Sequence, residues 1–260
     1  RLRSGGVSFT YSEEVIDSFR NSTNRDLYPN FNSVDYWFRN ATMHNHNLSL
    51  SGGGETSLYN VSFNYLDQEA MLPGYDFKRY NVLLNYSNDI KKWLTLGTSI
   101  NLTYKDRHEP PFTGTYLALL VYAAGPTYGP YMPDGSGRIA SRAFMQDQHN
   151  RNVTEAYAMG YKDTREYNLN PQVFIDIKPF RGMVWSTKVA VKYDDEFFKM
   201  HQYPYKAYLT LQKNLLTGED VMATYGPDII GVTDQYSKKI TPTLYSVANY
   251  EISFGSGHDV

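Results

Sequence analysis

Few residues in this chain are of types and spacings that could do chemistry. His44 and His46 stand two apart; on a strand their rings point the same way and could share a metal ion. No carboxylate lies at a suitable spacing beside them, so they read as polar residues near a rim, where a strand begins. Asp194, Asp195 and Glu196 form a carboxylate run. Clustered oxygens suit calcium, a hard cation, but a solvated loop start explains the run more simply. Glycoside hydrolysis needs two carboxylates at a fixed separation, and nothing singles out a pair such as Asp106 and Glu109 from the others a β-rich chain offers. There is no G-x-S-x-G, no P-loop and no H-E-x-x-H pattern. The expectation is a protein that is not an enzyme, with no catalytic residue, no metal and no cofactor.

Binding is the better prospect. Pro126, Pro130 and Pro133 stiffen the segment that carries Tyr128 and Tyr131. Sugars offer apolar C–H faces to aromatic rings, so Tyr128 and Tyr131, with His149 and Arg151 as hydrogen-bond partners, are the candidate ligand contacts. Just before them, Tyr116 to Gly125 (YLALLVYAAG) reads as a short helix with Leu117, Leu120, Val121 and Ala124 at helical spacing, packed against neighbouring protein.

The composition narrows the partners. In 260 residues, 25 Lys+Arg stand against 27 Asp+Glu, without the basic surplus that holds nucleic acid. No cysteine occurs, which removes disulfides, thiolate metal sites and cysteine nucleophiles together. Tyrosine is the distinctive residue: 24 Tyr, with 13 Phe and 3 Trp, make 15% of the chain aromatic, a bias towards strands and interfaces. The longest apolar run, Tyr116 to Gly125, is about half of what a membrane-spanning helix needs. The opening residues lack the apolar core of a signal peptide. The closing YEISFGSGHDV stops where a paired strand would begin, so the chain is expected to be a piece of something larger.

These residues must be positioned by strands. Tyr59, Val61, Phe63 and Tyr65 alternate with Asn60, Ser62 and Asn64, and Tyr80, Val82, Leu84 and Tyr86 repeat the pattern against Asn81, Leu83 and Asn85. Leu94 to Tyr104 gives a third run, Val173 to Ile177 a weaker fourth, Trp185 to Tyr193 a fifth with lysines on its polar face, and Leu244 to Phe254 a sixth. Each run is expected to be about 9 to 12 residues long, near the 9 to 11 that cross a bilayer as tilted strands. Aromatic residues end the apolar faces, and the polar faces carry Asn, Ser, Thr and Gly, as suits a lumen packed against another polar body. Connections alternate short and long, the long ones being 105–168 and 195–241. Together these features predict an all-β chain, an antiparallel transmembrane β-barrel segment with long extracellular loops. Sequons at Asn60, Asn85 and Asn101 then fall on lumen-facing strand positions and are by-products of composition. Val82 is expected near the bilayer midplane.

Several motifs in order carry a resemblance. YSEEVIDSFRN (Tyr11 to Asn21) with DLYPN (Asp26 to Asn30), then His46 to Ser87 with its His-Asn-Leu-Ser, Ser-Gly-Gly, Asp-Gln-Glu and Lys-Arg-Tyr-Asn elements, then WLTLGTSINLTY and MPDGS (Met132 to Ser136), resemble the SusC/RagA-type TonB-dependent outer-membrane transporters of Bacteroidota. Ala70 stands where the family usually has Gly after Asp-Gln-Glu, and Phe77 where Tyr commonly precedes Lys-Arg. The resemblance implies residues 1–260 as part of one barrel domain, a plugged barrel of about 22 strands of which the chain would supply roughly seven, with the plug and N-terminal extension lying outside it. It also implies the bacterial outer membrane and its lipid as surroundings, energy from a TonB complex contacted elsewhere, and a SusD-like surface lipoprotein as lid. The implied ligand is an oligosaccharide or peptide, glycan before peptide; a surface glycan-binding β-protein without transport is the reading from another class.

Overall fold

The computed structural model describes residues 12–142, 152–225, 228–254 and 258–259. Two short helices, α1 (Glu13–Asn21) and α2 (Ser33–Trp37), precede a run of long strands: β1 (Met43–Gly53), β2 (Ser57–Glu69), β3 (Asp76–Lys91) and β4 (Leu94–Glu109). A long connection then holds α3 (Gly114–Ala123), β5 (Ile139–Arg142) and α4 (Val153–Ala158). The strands β6 (Gly160–Ile177) and β7 (Met183–Gln202) follow, then β8 (Tyr205–Lys213) and β9 (Asp220–Tyr225) in a second long connection, then β10 (Gly231–Tyr250) and the short β11 (Ser253–Phe254) and β12 (His258–Asp259).

Seven strands form one antiparallel sheet in the order β1-β2-β3-β4-β6-β7-β10. Sequential neighbours pair throughout, as in an up-and-down barrel wall. The strands run 11 to 20 residues, longer than their alternating patterns suggest, because the polar ends that read as loop continue the ladder. The long connections accordingly shrink to 110–159 and 203–230. The sixth apolar run ends with β10 at Tyr250; Ile252 falls in the break after it, and Phe254 belongs to the pair β11 and β12.

Register makes the sheet two-faced. His46, Tyr65, Tyr80, Tyr104 and Tyr167 are successive partners across β1, β2, β3, β4 and β6. Their rings form one ladder, with centroids 6.3, 5.0, 6.0 and 4.7 Å apart. Below it the same face carries Leu48, Phe63, Val82 and Leu102 in one row and Leu50, Val61, Leu84 and Ile100 in the next. Leu48 and Leu244 each keep 72% of their surface exposed. Water would not tolerate so continuous an apolar sheet face. A second aromatic set closes the band: Tyr59 opposite Tyr86, then Trp93, Trp185 and Phe180 against Tyr250. From Tyr104 to Leu94 is about 33 Å of strand at about 3.3 Å per residue, or about 25 Å along a bilayer normal at the usual tilt, the height of a lipid-facing band between its girdles. Val82 lies next to the upper ladder, so Leu84 and Val61 stand nearer the midplane. No helix of the described residues is long and apolar enough to cross a membrane.

Beyond the ladder the strands keep going: β6 from Tyr167 to Gly160, β7 from Asp195 to Gln202, β10 from Lys238 to Gly231, about 20 Å more of paired backbone. At its end Gly160 takes φ +135°, and a Cβ there would come within 1.9 Å of the His201 carbonyl oxygen. Only glycine allows that approach.

The enclosed core lies at this end, among the connections. Thr113 caps α3 by accepting from the Tyr116 amide at 3.3 Å, so the helix begins slightly before the apolar run that announces it. Leu117 and Val121 are buried on one face with Trp37, Leu72, Val153 and Ala156, while Leu119 and Tyr122 are exposed. Trp37 stacks on Tyr157 at 5.1 Å with 10° between planes. Burial pushes the Tyr157 phenol up to about 12, since the phenolate cannot be solvated there.

Candidate functional site

The face opposite the apolar band is a wall of hydrogen-bonding side chains. One row runs Asn47, Asn64, Asn81, Thr103, Asn168, Asp194 across six strands. Thr103 Oγ1 donates to Asn81 Oδ1 at 2.6 Å, and Asn168 Nδ2 to Asp194 Oδ1 at 2.8 Å. Asn64 Nδ2 donates to Asn45 Oδ1 at 2.7 Å. Short polar side chains at alternate strand positions can only meet across strands, and these pairs are that contact.

The wall dips into a trough of ≈ 800 Å³ whose lining holds Arg79, Lys105 and Lys192 among amides and hydroxyls, with neither a carboxylate nor an apolar side chain. Two of the three cations are answered from the sides: Lys105 by Glu166 at 2.7 Å, Lys192 by Asp194 at 2.9 Å. Arg79 differs. Its Nη2 lies 3.5 Å from Asn64 Oδ1, and its Nε is sealed from solvent with no hydrogen-bond partner among the described residues. The Arg79 row, with Asn45, Lys105 and Glu166, sits on the side of the aromatic ladder from which the long connections rise.

Those connections form a mouth. In it β5 of the first pairs in parallel with β8 of the second, and β9 completes a three-stranded sheet. Arg138 clasps the two connections, bonding Asp134 in its own and Asp220 at 2.8 Å in the other, with its guanidinium 4.6 Å from the Tyr208 ring centroid. The Asp134 carboxyl is held far below the usual range by the hydroxyl and amide of Ser136 and by Arg138. Asp220 is lowered by Lys213 and then Arg138. Asn152 is the buried pin of this cap: its Nδ2 donates to the carbonyls of Gly129 at 3.0 Å and Pro130 at 3.1 Å and to that of Ala140, and its Oδ1 accepts from the Thr154 amide at 3.0 Å.

The sequence-derived contacts separate here. Tyr131 is 47% exposed at the mouth, in a bridge with Ile139, whereas Tyr128 is 3% exposed. His149 and Arg151 lie outside the described residues. Sequence reasoning missed Asn152 and Arg79. Asn152 carries a signal, a capping residue with Glu155 three positions on. Arg79 carries none, since its distinction is the lack of a carboxylate beside it on the two flanking strands, where Leu66 and Lys105 are its partners.

The other clusters are otherwise engaged. Asp106 and Glu109 face opposite sides of β4, and Glu109 pairs with Lys162. Asp194 and Asp195 also point to opposite faces; Asp195 accepts from Tyr193 at 2.8 Å and Tyr236 at 2.5 Å. His46 stacks on Tyr65, and His44 stands opposite Asp67. Among the described residues no group of three or more His, Asp or Glu is placed to hold a metal ion.

No family model matches the chain. A TonB-dependent receptor, P39, of Formosa agariphila is 24% identical over 180 residues, which are 69% of this chain and 16% of the relative. Among solved structures, the RagAB peptide transporter aligns over 96% of this chain and 29% of its own with TM-score 0.67 and 18% identity. The RagAB peptide importer in its closed-closed state aligns over 88% and 24% with TM-score 0.64 and 20% identity, and in its open-open state over 98% and 29% with TM-score 0.64 and 18% identity. The chain therefore spans about a sixth of the curated relative and about a quarter of the solved chains. Its fold is that of a section of a TonB-dependent transporter's barrel wall.

Proposed function

Taking the chain as a section of a SusC/RagA-type TonB-dependent transporter, we propose that the parent protein sits in the bacterial outer membrane and imports an oligomeric nutrient, glycan before peptide. A SusD-like surface lipoprotein closes over the mouth and TonB supplies energy through parts of the protein outside this chain. Cargo held between lid and mouth enters the lumen when the plug rearranges, and leaves chemically unchanged. This chain contributes wall and mouth rather than the moving part.

The observation that carries the reading is the two-faced sheet with one capped end. An apolar band between two aromatic rows suits lipid, and the amide and hydroxyl wall behind it suits a wet lumen. The connections at one end build the mouth. Glycan is preferred because the trough in the wall is lined by amides, hydroxyls and cations; oligopeptide is the second cargo, since the solved relatives are a peptide transporter and peptide importers.

The test is to tag the intact parent protein, extract it from the cell envelope in mild detergent and identify what accompanies it. A stoichiometric lipoprotein in the outer-membrane fraction is the expected result. A protein released without detergent and without that companion would replace transport by surface binding.

A further inference from the structure

We propose that the trough beside Arg79 is a subsite for an acidic oligosaccharide, with the Arg79 guanidinium facing a carboxylate of the sugar and the surrounding amides and hydroxyls facing its ring hydroxyls. The inference rests on the import reading and names the cargo class more narrowly.

Three features of the trough meet in this assignment. Its charge is one-sided: three cations line it and no carboxylate does. Lys192 is answered by Asp194, and Lys105 shares Glu166 with Arg107 at 3.6 Å, so the carboxylates beside the trough are already engaged and none of them pairs with Arg79. Among the described residues its guanidinium has a single long contact, from Nη2 to Asn64 at 3.5 Å. Nε, being sealed, is out of a ligand's reach, so the carboxylate is met by the terminal Nη groups, whose N–H donors a planar carboxylate satisfies two at a time. Finally, the remaining lining consists of asparagine, serine and threonine, which match hydroxyls. An acidic peptide would satisfy Arg79 equally, but its apolar side chains would find only Leu66, the cross-strand partner of Arg79, which is already buried. The Arg79 row lies on the mouth side of the aromatic ladder, so a ligand coming from the mouth reaches it before the depth of the lumen.

The test uses the intact parent transporter in detergent, titrated calorimetrically with tetragalacturonate and with the same oligomer as its methyl ester, which keeps the sugar and removes the charge. The acid is expected to bind about tenfold tighter than the ester at low salt, about 1.4 kcal/mol. Arg79→Gln is expected to bring the two within about twofold while the ester's affinity stays unchanged, and Arg79→Lys to retain part of the preference because charge survives without the planar fork. Heat-resistant migration on gels shows which variants have assembled. Equal binding of acid and ester by the unmutated protein, binding of neither, or a preference that survives Arg79→Gln overturns the assignment. A preference shown instead by an acidic pentapeptide over its amide assigns the site to peptide and also overturns it. If Arg79→Gln lowers the melting temperature of the unliganded transporter and leaves the acid-to-ester ratio alone, the carboxylate belongs to polypeptide packed in the lumen, which again overturns the sugar. Failure of the import reading is separate: the parent protein would leave the envelope without detergent, whatever the ratio.

Discussion

The ring of Phe174 fills the space above Gly97, its cross-strand partner on the polar face: a Cβ on Gly97 would lie 2.2 Å from Phe174 Cζ and 2.9 Å from the Tyr86 carbonyl oxygen. The Tyr86 carbonyl oxygen is backbone and cannot yield, and the Phe174 ring would have to leave its place. Gly97→Val is expected to destabilise the wall by about 1–3 kcal/mol through overpacking, read as loss of heat-resistant barrel on gels. Phe174→Ala in the same chain should restore most of it. A double variant as defective as Gly97→Val would place the fault in the backbone instead.

The apolar face makes a depth-graded prediction. Leu84→Arg, near the middle of the band, should cost about 2–4 kcal/mol in a lipid-refolding titration. Val82→Arg, beside the aromatic ladder, should cost less because its guanidinium can reach the interface. Asn81→Ser, on the polar face, loses one acceptor for Thr103 and should cost under about 1 kcal/mol. Equal costs for the three would remove the facing assignment.

The Arg138 clasp predicts linked motion of the two connections. Arg138→Ala should raise amide exchange in β5 and β8 together, with the wall strands unchanged; a rise confined to β5 would mean that the clasp does not join them. Its pH dependence has a definite sign. Asp134 and Asp220 are depressed below the ordinary carboxylate value of about 3.9. Their contribution is therefore complete above that value and is lost as pH falls through their lower values in the folded protein. Protection of β5 and β8 amides, taken relative to intrinsic exchange at each pH, should stay flat from neutral pH to about 5 and fall only in stronger acid.

The cap core predicts the opposite sign for Tyr157. A phenol raised to about 12 favours the folded cap fully below its ordinary value of about 10, and this contribution disappears as pH climbs through about 12. Trp37→Ala should destabilise the cap by about 3–5 kcal/mol and lower the Tyr157 titration, followed by the ring signals of Tyr157. An unchanged titration would show that Trp37 does not bury that phenol.

At the mouth, exposure separates two tyrosines that look alike in sequence. On the proposed import reading, Tyr131→Ala should weaken oligosaccharide binding by the parent protein and leave its melting temperature alone, whereas Tyr128→Ala should lower the melting temperature. If Tyr128→Ala weakens binding without lowering stability, the ring reaches ligand despite its burial.

Much of this architecture was legible because β side chains alternate. Tyr65, Tyr80 and Tyr104 could each be placed on the apolar face from their own runs, and the register then joined them into a ladder. The strand ends were not legible: residues such as Lys105 to Glu109 and Asp195 to Gln202 are charged on both faces outside lipid, so polarity stops marking loop there. Tyr128 looked like Tyr131 because burial in a mouth depends on what folds over it. Arg79 looked like any polar-face residue because its environment comes from Asn64, Lys105 and Glu166, which are close only through pairing.

The parallel pairing of β5 with β8 has a bearing on how the mouth could be re-engineered. Neither long connection owns the mouth sheet; each holds one side of it, and Arg138 fastens the halves. Grafting a single connection from a relative would leave an orphaned strand edge and break the Arg138–Asp220 bond that joins the two, so the two form one inheritable module that must be exchanged together.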